Sequence, residues 1–228
     1  MRQHPIDRAL NILAVALPDA GQDRLAALSV GQRDGYLMDL RETNFGPRVS
    51  GMAECPGCQE RLEWTLDLGD VRVVRDDTDK GGTGRLTIGG YELLYRLPDS
   101  TDLAAIAVSD NAAVGRNVLL GRCVVEARRD GAEVEASALP EAVTSELATV
   151  MEARDPQAET LLDFECPACG LSWQAVFDVL TFLWNEICGR AKRLLSEVHS
   201  LASAYGWTEE DILRMSAARR RFYLEAVT

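Results

Sequence analysis

The sequence predicts an α+β fold in which two β-knuckles, separated by a long insertion, are flanked by N-terminal and C-terminal helices. Three observations predict it. The tetrapeptides Cys55-Pro56-Gly57-Cys58 and Cys166-Pro167-Ala168-Cys169 are each followed by an alternating apolar run. Both ends of the chain space their apolar residues at helical intervals instead. Between the knuckles, Gly89-Gly90 divides two runs rich in β-formers.

From the N-terminus, Ile6, Leu10, Leu13, Ala14 and Leu17 share one helical face before Pro18 stops the run. Ser29-Val30-Gly31-Gln32 fits a capping box for a helix carrying Tyr36, Leu37 and Leu40, closed by Gly46-Pro47. Arg33, Asp34, Asp39, Arg41 and Glu42 are expected on its solvated face.

Each knuckle offers two thiolates at a spacing that lets a tight turn aim both sulfurs at one metal ion. Aligned on their cysteines, the flanks match. Leu62, Trp64, Leu66 and Leu68 alternate after Cys58, and Trp173, Ala175, Phe177 and Val179 after Cys169. Asp67 falls on Asp178. This internal repeat looks like a split zinc ribbon. Cys55, Cys58, Cys166 and Cys169 would hold one structural Zn²⁺ with no open position. The usual ribbon separates its pairs by roughly 15–20 residues; here 107 residues lie between Cys58 and Cys166. Two half-sites completed by a partner chain, and two disulfides, are the competing readings.

Within the insertion, the acidic, glycine-rich stretch from Asp76 to Gly84 lacks EF-hand spacing and reads as a hairpin tip. Arg85 to Leu97 reads as two strands around Gly89-Gly90. A short helix from Asp102 to Ala107 follows. The next helix, 110–126, is expected to turn Val114, Val118, Leu119 and Cys123 inward, with Cys123 as a small buried apolar residue. Pro140 opens a helix with Val143, Leu147, Val150 and Met151 on one stripe, broken at Asp155-Pro156. A strand around Leu161 to Phe164 enters the second knuckle.

The longest regular element carries Leu180, Trp184, Ile187, Ala191, Leu194, Val198, Leu201 and Tyr205 at spacings 4, 3, 4, 3, 4, 3, 4. It packs either on its own domain or against neighbouring subunits. His199 is expected as a packing histidine, and Cys188 as packing beside the seam. Gly206 ends the helix, Thr208 caps the next, and the last carries Arg219, Arg220, Arg221, Phe222 and Tyr223. The arginine cluster is either a favourable charge distribution or a docking patch for an acidic partner. The expected regions are 1–47, helical; 48–179, the split ribbon with its inserted hairpin and helices; and 180–228, helical. Together they form one composite domain.

Composition sets limits. A chain of 228 residues with 46% apolar and 26% charged content can bury a core and reads as globular. No apolar run is long enough for a membrane span: even 176–188 is broken by Asp178, Asn185 and Glu186. The opening residues lack the apolar core of a signal peptide, so cytosolic residence is expected and the cysteines read as metal ligands rather than disulfides. A net charge of −12 argues against a nucleic-acid-binding ribbon, which needs a basic surface. Four thiolates around a metal argue against catalysis, and no phosphate loop or Gly-X-Ser-X-Gly is present.

Three segments carry a family resemblance. One runs from Leu37-Met38-Asp39-Leu40-Arg41-Glu42-Thr43-Asn44-Phe45-Gly46-Pro47 into the first knuckle. The second is Tyr95-Arg96-Leu97-Pro98 followed by Asp102-Leu103-Ala104-Ala105. The third spans Glu197 to Ala202, Tyr205 to Leu213 and Arg219 to Leu224. Together they resemble the baseplate hub subunit family of T-even phages, found also in related contractile injection systems. The resemblance implies a non-catalytic structural role among other baseplate or hub proteins, within a larger oligomeric assembly. It implies residence in the bacterial cytoplasm during assembly and in the baseplate afterwards. An assembly factor absent from the finished particle fits as well. The partner-binding surfaces it implies are the 180–205 helix and the 207–224 hairpin, with Trp207, Arg219, Arg220, Arg221 and Tyr223 as contact residues.

Overall fold

His4 caps the first helix, its ring nitrogen accepting from the Ile6 N–H, and Pro5 takes the first helical position, where a missing N–H costs nothing. In the computed structural model, which describes residues 4–73, 82–107 and 111–227, this helix α1 runs Pro5–Ala16 and buries Ile6, Ala9 and Leu13. Pro18 ends the run, and a single 3-10 turn leads to the short α2 (Gln22–Ala26). Ser29 then caps α3 (Val30–Phe45) in a full capping box with Gln32, and Gly46, at φ +87°, terminates it.

Two of the charges assigned to the solvated face of α3 are inside. Arg33 is 6% exposed and Arg41 3%. Arg41 turns its guanidinium to the carbonyl of Gly46, 2.6 Å away. Arg33 holds Asp34 at 2.7 Å. Burial raises the Asp34 carboxyl above its ordinary range despite the opposing pull of Arg33. Long cationic side chains can bury their stems when the head finds a partner, and a pattern of charges along a helix does not reveal that. Asp39 and Glu42 both bind Arg72, at 2.8 and 2.7 Å.

Each knuckle sits at the tip of a hairpin. β1 (Arg48–Glu54) pairs antiparallel with β2 (Arg61–Asp67) around the first. Asp67 then caps the one-turn α4 (Leu68–Val71). The insertion builds its own sheet. β3 (Gly84–Ile88) and β4 (Tyr91–Tyr95) turn on Gly89 and Gly90, at φ +56° and +80°, the left-handed pair that a tight hairpin needs. Residues 74–81, with most of the acidic stretch read as a hairpin tip, lie outside the described residues. After α5 (Ser100–Ile106) and α6 (Ala112–Cys123), β5 (Val124–Arg129) joins β4, and the two-residue β6 (Ala132–Glu133) closes an antiparallel sheet of order β3-β4-β5-β6. Helix α7 (Glu141–Arg154) covers this sheet. Tyr91, Leu93, Tyr95, Cys123, Ala127, Val143, Leu147 and Met151 form one buried cluster.

Helix α6 ends earlier than expected, and of its four expected inward residues Leu119 and Cys123 face the core while the two valines do not. Val114 and Val118 are 52% and 38% exposed. The covered stripe is Gly115, Leu119 and Cys123, four residues apart, so the valines lie off it. Cys123 is fully buried, as a small apolar residue should be.

Two buried carboxylates tie distant segments together. Asp155, beyond α7, accepts from the Ser29 hydroxyl at 3.0 Å and the Gly31 N–H at 2.9 Å. A side chain at Gly31 would place its Cβ 2.2 Å from an Asp155 oxygen and 2.8 Å from the Ala158 nitrogen, so only glycine fits there. Asp102 has no exposed surface. Its oxygens take Arg96 in a two-pronged contact, the Arg122 Nε at 2.6 Å and the Asp99 N–H at 3.0 Å.

The second hairpin follows, built of β7 (Leu161–Glu165) and β8 (Ser172–Val176). Helix α8 (Val179–Tyr205) follows. Residues 1–180 form one compact unit and 181–228 another. In the second, Gly206 at φ +68° stops α8, Thr208 caps α9 (Glu209–Arg214) and Ser216 caps α10 (Ala217–Glu225). Val198, Leu201 and Ile212 form its core, with Trp207, Tyr223 and Leu224 packed around them. Along the seam of α8, Leu180, Val198 and Leu201 are buried, Trp184, Ile187 and Leu194 are half-buried, and Ala191 is exposed. His199 is exposed rather than packed. No helix of the described residues is long and apolar enough to cross a membrane.

Candidate metal centre

The two knuckles fold identically. The N–H of Cys55 donates to the Glu60 carbonyl and the N–H of Gln59 to that of Cys55, both at 2.9 Å. In the other half, the N–H of Cys166 donates to Leu171 and that of Gly170 to Cys166, also at 2.9 Å. Glu54 pairs with Arg61 at the hairpin end, and Glu165 with Ser172. The residue after each second cysteine is left-handed: Gln59 at φ +63°, Gly170 at φ +72°. Only the second half uses the residue that adopts this conformation without strain. Gln59→Gly is therefore expected to stabilise the protein by about 0.5–1 kcal/mol, and Gly170→Gln to destabilise it similarly. Thermal unfolding of the two variants checks both signs.

Aromatic faces bring the hairpins together. Trp64 meets Phe164 and Phe177 edge-on, each at 6.2 Å between ring centroids, and Phe164 stacks on Trp173 at 5.3 Å. Trp64, Phe164 and Trp173 are inward positions of β2, β7 and β8, and Phe177 follows directly after β8. The strand that sequence reading missed is β1. Its inward residues are Val49, Gly51 and Ala53, too small to give a strong alternation. The structure explains the smallness. A Cβ at Gly51 would lie 2.5 Å from the Trp64 ring.

This packing gathers Cys55, Cys58, Cys166 and Cys169, whose sulfurs all lie within 4.8 Å of one another. Cys55 faces Cys169 at 3.6 Å and Cys58 faces Cys166 at 3.5 Å. Exchanging the halves maps one contact onto the other, so the cluster has a local two-fold symmetry. The first cysteine of each knuckle is buried and the second exposed. Four sulfurs placed tetrahedrally about Zn²⁺, at about 2.3 Å each, lie about 3.8 Å apart. The cross-knuckle distances match that spacing, and the donor set suits a thiophilic ion.

The electrostatics suit a cation as well. Burial pushes the Cys55 thiol up, but the N–H groups of Cys58 and Gly57 and the facing Cys166 and Cys169 thiols outweigh it and bring it down to about 7. At Cys58 the N–H of Glu60 lowers the thiol, and the Cys166 and Cys169 thiols override it, pushing it up to about 12. Four clustered thiols cannot all ionise while facing only one another. A dication removes that conflict and allows four thiolates. The remaining cysteines stand apart: Cys123 in the inserted core and Cys188 half-buried on α8.

The other sequence-predicted contact residues lie in the second unit. Trp207 stacks on Tyr205 at 4.4 Å and meets Tyr223 edge-on at 4.8 Å. Arg220 is half-buried, bonded to Glu197 at 3.0 Å and to the Met215 carbonyl at 2.6 Å. Arg219 and Arg221 remain exposed, Arg219 with its guanidinium 5.7 Å from the centre of the Tyr223 ring.

A mixed helical and antiparallel protein with four of its six thiols gathered where two hairpins meet is the class defined by fold and site. A family model described as T4 bacteriophage base plate protein matches residues 6–184. The chain belongs to that family, whose place is the baseplate of a phage tail. No curated protein and no solved structure matches it.

Proposed function

We propose that the chain is a structural component of the baseplate of a contractile phage tail or contractile injection system, with one Zn²⁺ held by Cys55, Cys58, Cys166 and Cys169. The observation that carries this reading is the four-sulfur cluster at cross-knuckle distances of 3.6 and 3.5 Å, in a chain of the baseplate family. The ion joins hairpins that enclose a 107-residue insertion, so the ends of that insertion are fixed by metal as well as by the aromatic contacts. Two β-knuckles around one ion make this a split zinc ribbon. The protein works by contacts with other baseplate or hub proteins and catalyses nothing, because four thiolates leave the ion no open position. It is made and assembled in the bacterial cytoplasm.

Metal content of the purified, tag-free protein, measured with its native mass, tests the reading. One zinc per monomer is expected. Zinc found only in an oligomer overturns the intramolecular centre, and four reactive thiols without metal overturn the zinc reading altogether.

A further inference from the structure

The same four thiols permit a second chemistry. Cys58 and Cys169 are exposed, and each faces a buried cysteine of the opposite knuckle, Cys166 at 3.5 Å and Cys55 at 3.6 Å. An oxidant in solution reaches the outer sulfur of each pair first, and the inner sulfur lies within 3.6 Å of it across the joint.

We propose that this centre is a peroxide-sensitive modification site that closes two disulfides across the hairpins, Cys58–Cys166 and Cys55–Cys169. The exposed cysteine gives up its proton and its sulfur attacks the O–O bond of hydrogen peroxide. The sulfur is oxidised to a sulfenic acid, and the peroxide is reduced to hydroxide and then water. The buried cysteine gives up its proton and attacks that sulfenic sulfur, the S–S bond forms, and a second hydroxide takes up that proton and leaves as water. Each disulfide consumes one peroxide and two thiols and yields two waters. The facing sulfurs must close from 3.5–3.6 Å to about 2.05 Å, a movement within reach of two turn-borne side chains.

The consequence is structural. Disulfides within each knuckle would leave the hairpins unlinked once the ion departs. The crossed pairs staple one hairpin to the other and replace the metal as the closure of the insertion. A phage particle leaves a reducing cytosol for oxidising surroundings, and the crossed disulfides hold the joint there.

This inference rests on the four-sulfur geometry and not on bound zinc, so the two readings fail separately. Metal content is measured first. The full-length protein is then stripped with a chelator, treated with hydrogen peroxide, alkylated and digested with trypsin. Residues 49–61 carry the first knuckle and 155–190 the second. The expected result is loss of four of the six alkylatable thiols and recovery of these two peptides joined. The oxidised, metal-free protein should also melt above the reduced, metal-free one. Separate peptides, each with its own disulfide, or sulfinic acids in their place, overturn the proposal. Two double variants, both lacking a complete metal site, test the pairing. Cys58→Ser with Cys166→Ser keeps a facing pair and should cross-link. Cys58→Ser with Cys169→Ser keeps the two buried cysteines and should cross-link more slowly. Equal rates would overturn the crossed pairing, and the wild-type peptide map stands if either variant fails to fold.

Discussion

Cys166→Ser is expected to abolish stoichiometric zinc binding and to lower stability by about 3–6 kcal/mol. A whole structural zinc site contributes roughly 10–16 kcal/mol in small finger peptides. Here the loss is smaller for two reasons. Three thiols remain to bind metal weakly, and the insertion keeps its own core around Tyr95, Leu93 and Leu147. The loss is still large because Cys166 is 1% exposed and faces Cys58. A serine there leaves a buried hydroxyl in a thiolate site. Zinc analysis and denaturant unfolding of the variant check both halves of the expectation. Full zinc occupancy with an unchanged midpoint would show that the four sulfurs do not act as one centre.

The centre was legible in the sequence because its signal is local. Two Cys-Pro-X-Cys turns and two alternating runs need no tertiary information, and the structure brings together the four cysteines that the repeat singles out. The hairpin at Gly89-Gly90 and the capping box at Ser29 are local in the same sense. What stayed hidden depends on partners far away in the chain. β1 lacks bulky inward residues because Trp64, across the hairpin, fills the space above Gly51. Arg33 and Arg41 look solvated until their burial is known. The expected helix 110–126 takes in the first half of β5, although Asp130-Gly131, at φ +51° and +82°, is a hairpin signal that separates β5 from β6. Asp155 looked like a helix stop, and its second role, holding Ser29 and Gly31 from 124–126 positions away, has no sequence signature.

The segment Tyr95-Arg96-Leu97-Pro98 with Asp102, one of those that carry the resemblance, acquires a physical meaning from the contacts of the Asp102 carboxylate, and it supports the second large expectation. Asp102→Asn should cost about 2–4 kcal/mol near pH 7, with the defect shrinking in acid. The carboxylate is fully buried and receives Arg96, Arg122 and the Asp99 N–H. It also completes the capping box of α5 with Asp99. Burial pushes its carboxyl up, but the hydrogen bonds from Arg96, the Asp99 backbone and Arg122 outweigh that and hold it at about 2. The folded value lies below the ordinary one of about 3.9, so the native state favours the charged form. That stabilisation, about 2 kcal/mol, is fully present above roughly pH 4 and is lost as pH falls toward 2. Asparagine keeps the shape and one acceptor but cannot answer two guanidinium groups. The cost is bounded because Arg96 and Arg122 are 29% and 40% exposed and can turn to water. Denaturant midpoints of wild type and variant should therefore lie far apart at neutral pH and converge between roughly pH 4 and 2. Acid also protonates the cysteine centre, but it does so in both proteins, so their difference isolates Asp102. Midpoints that stay equally separated through that window would mean that the charge of Asp102 contributes nothing to the fold and that its hydrogen bonds alone matter.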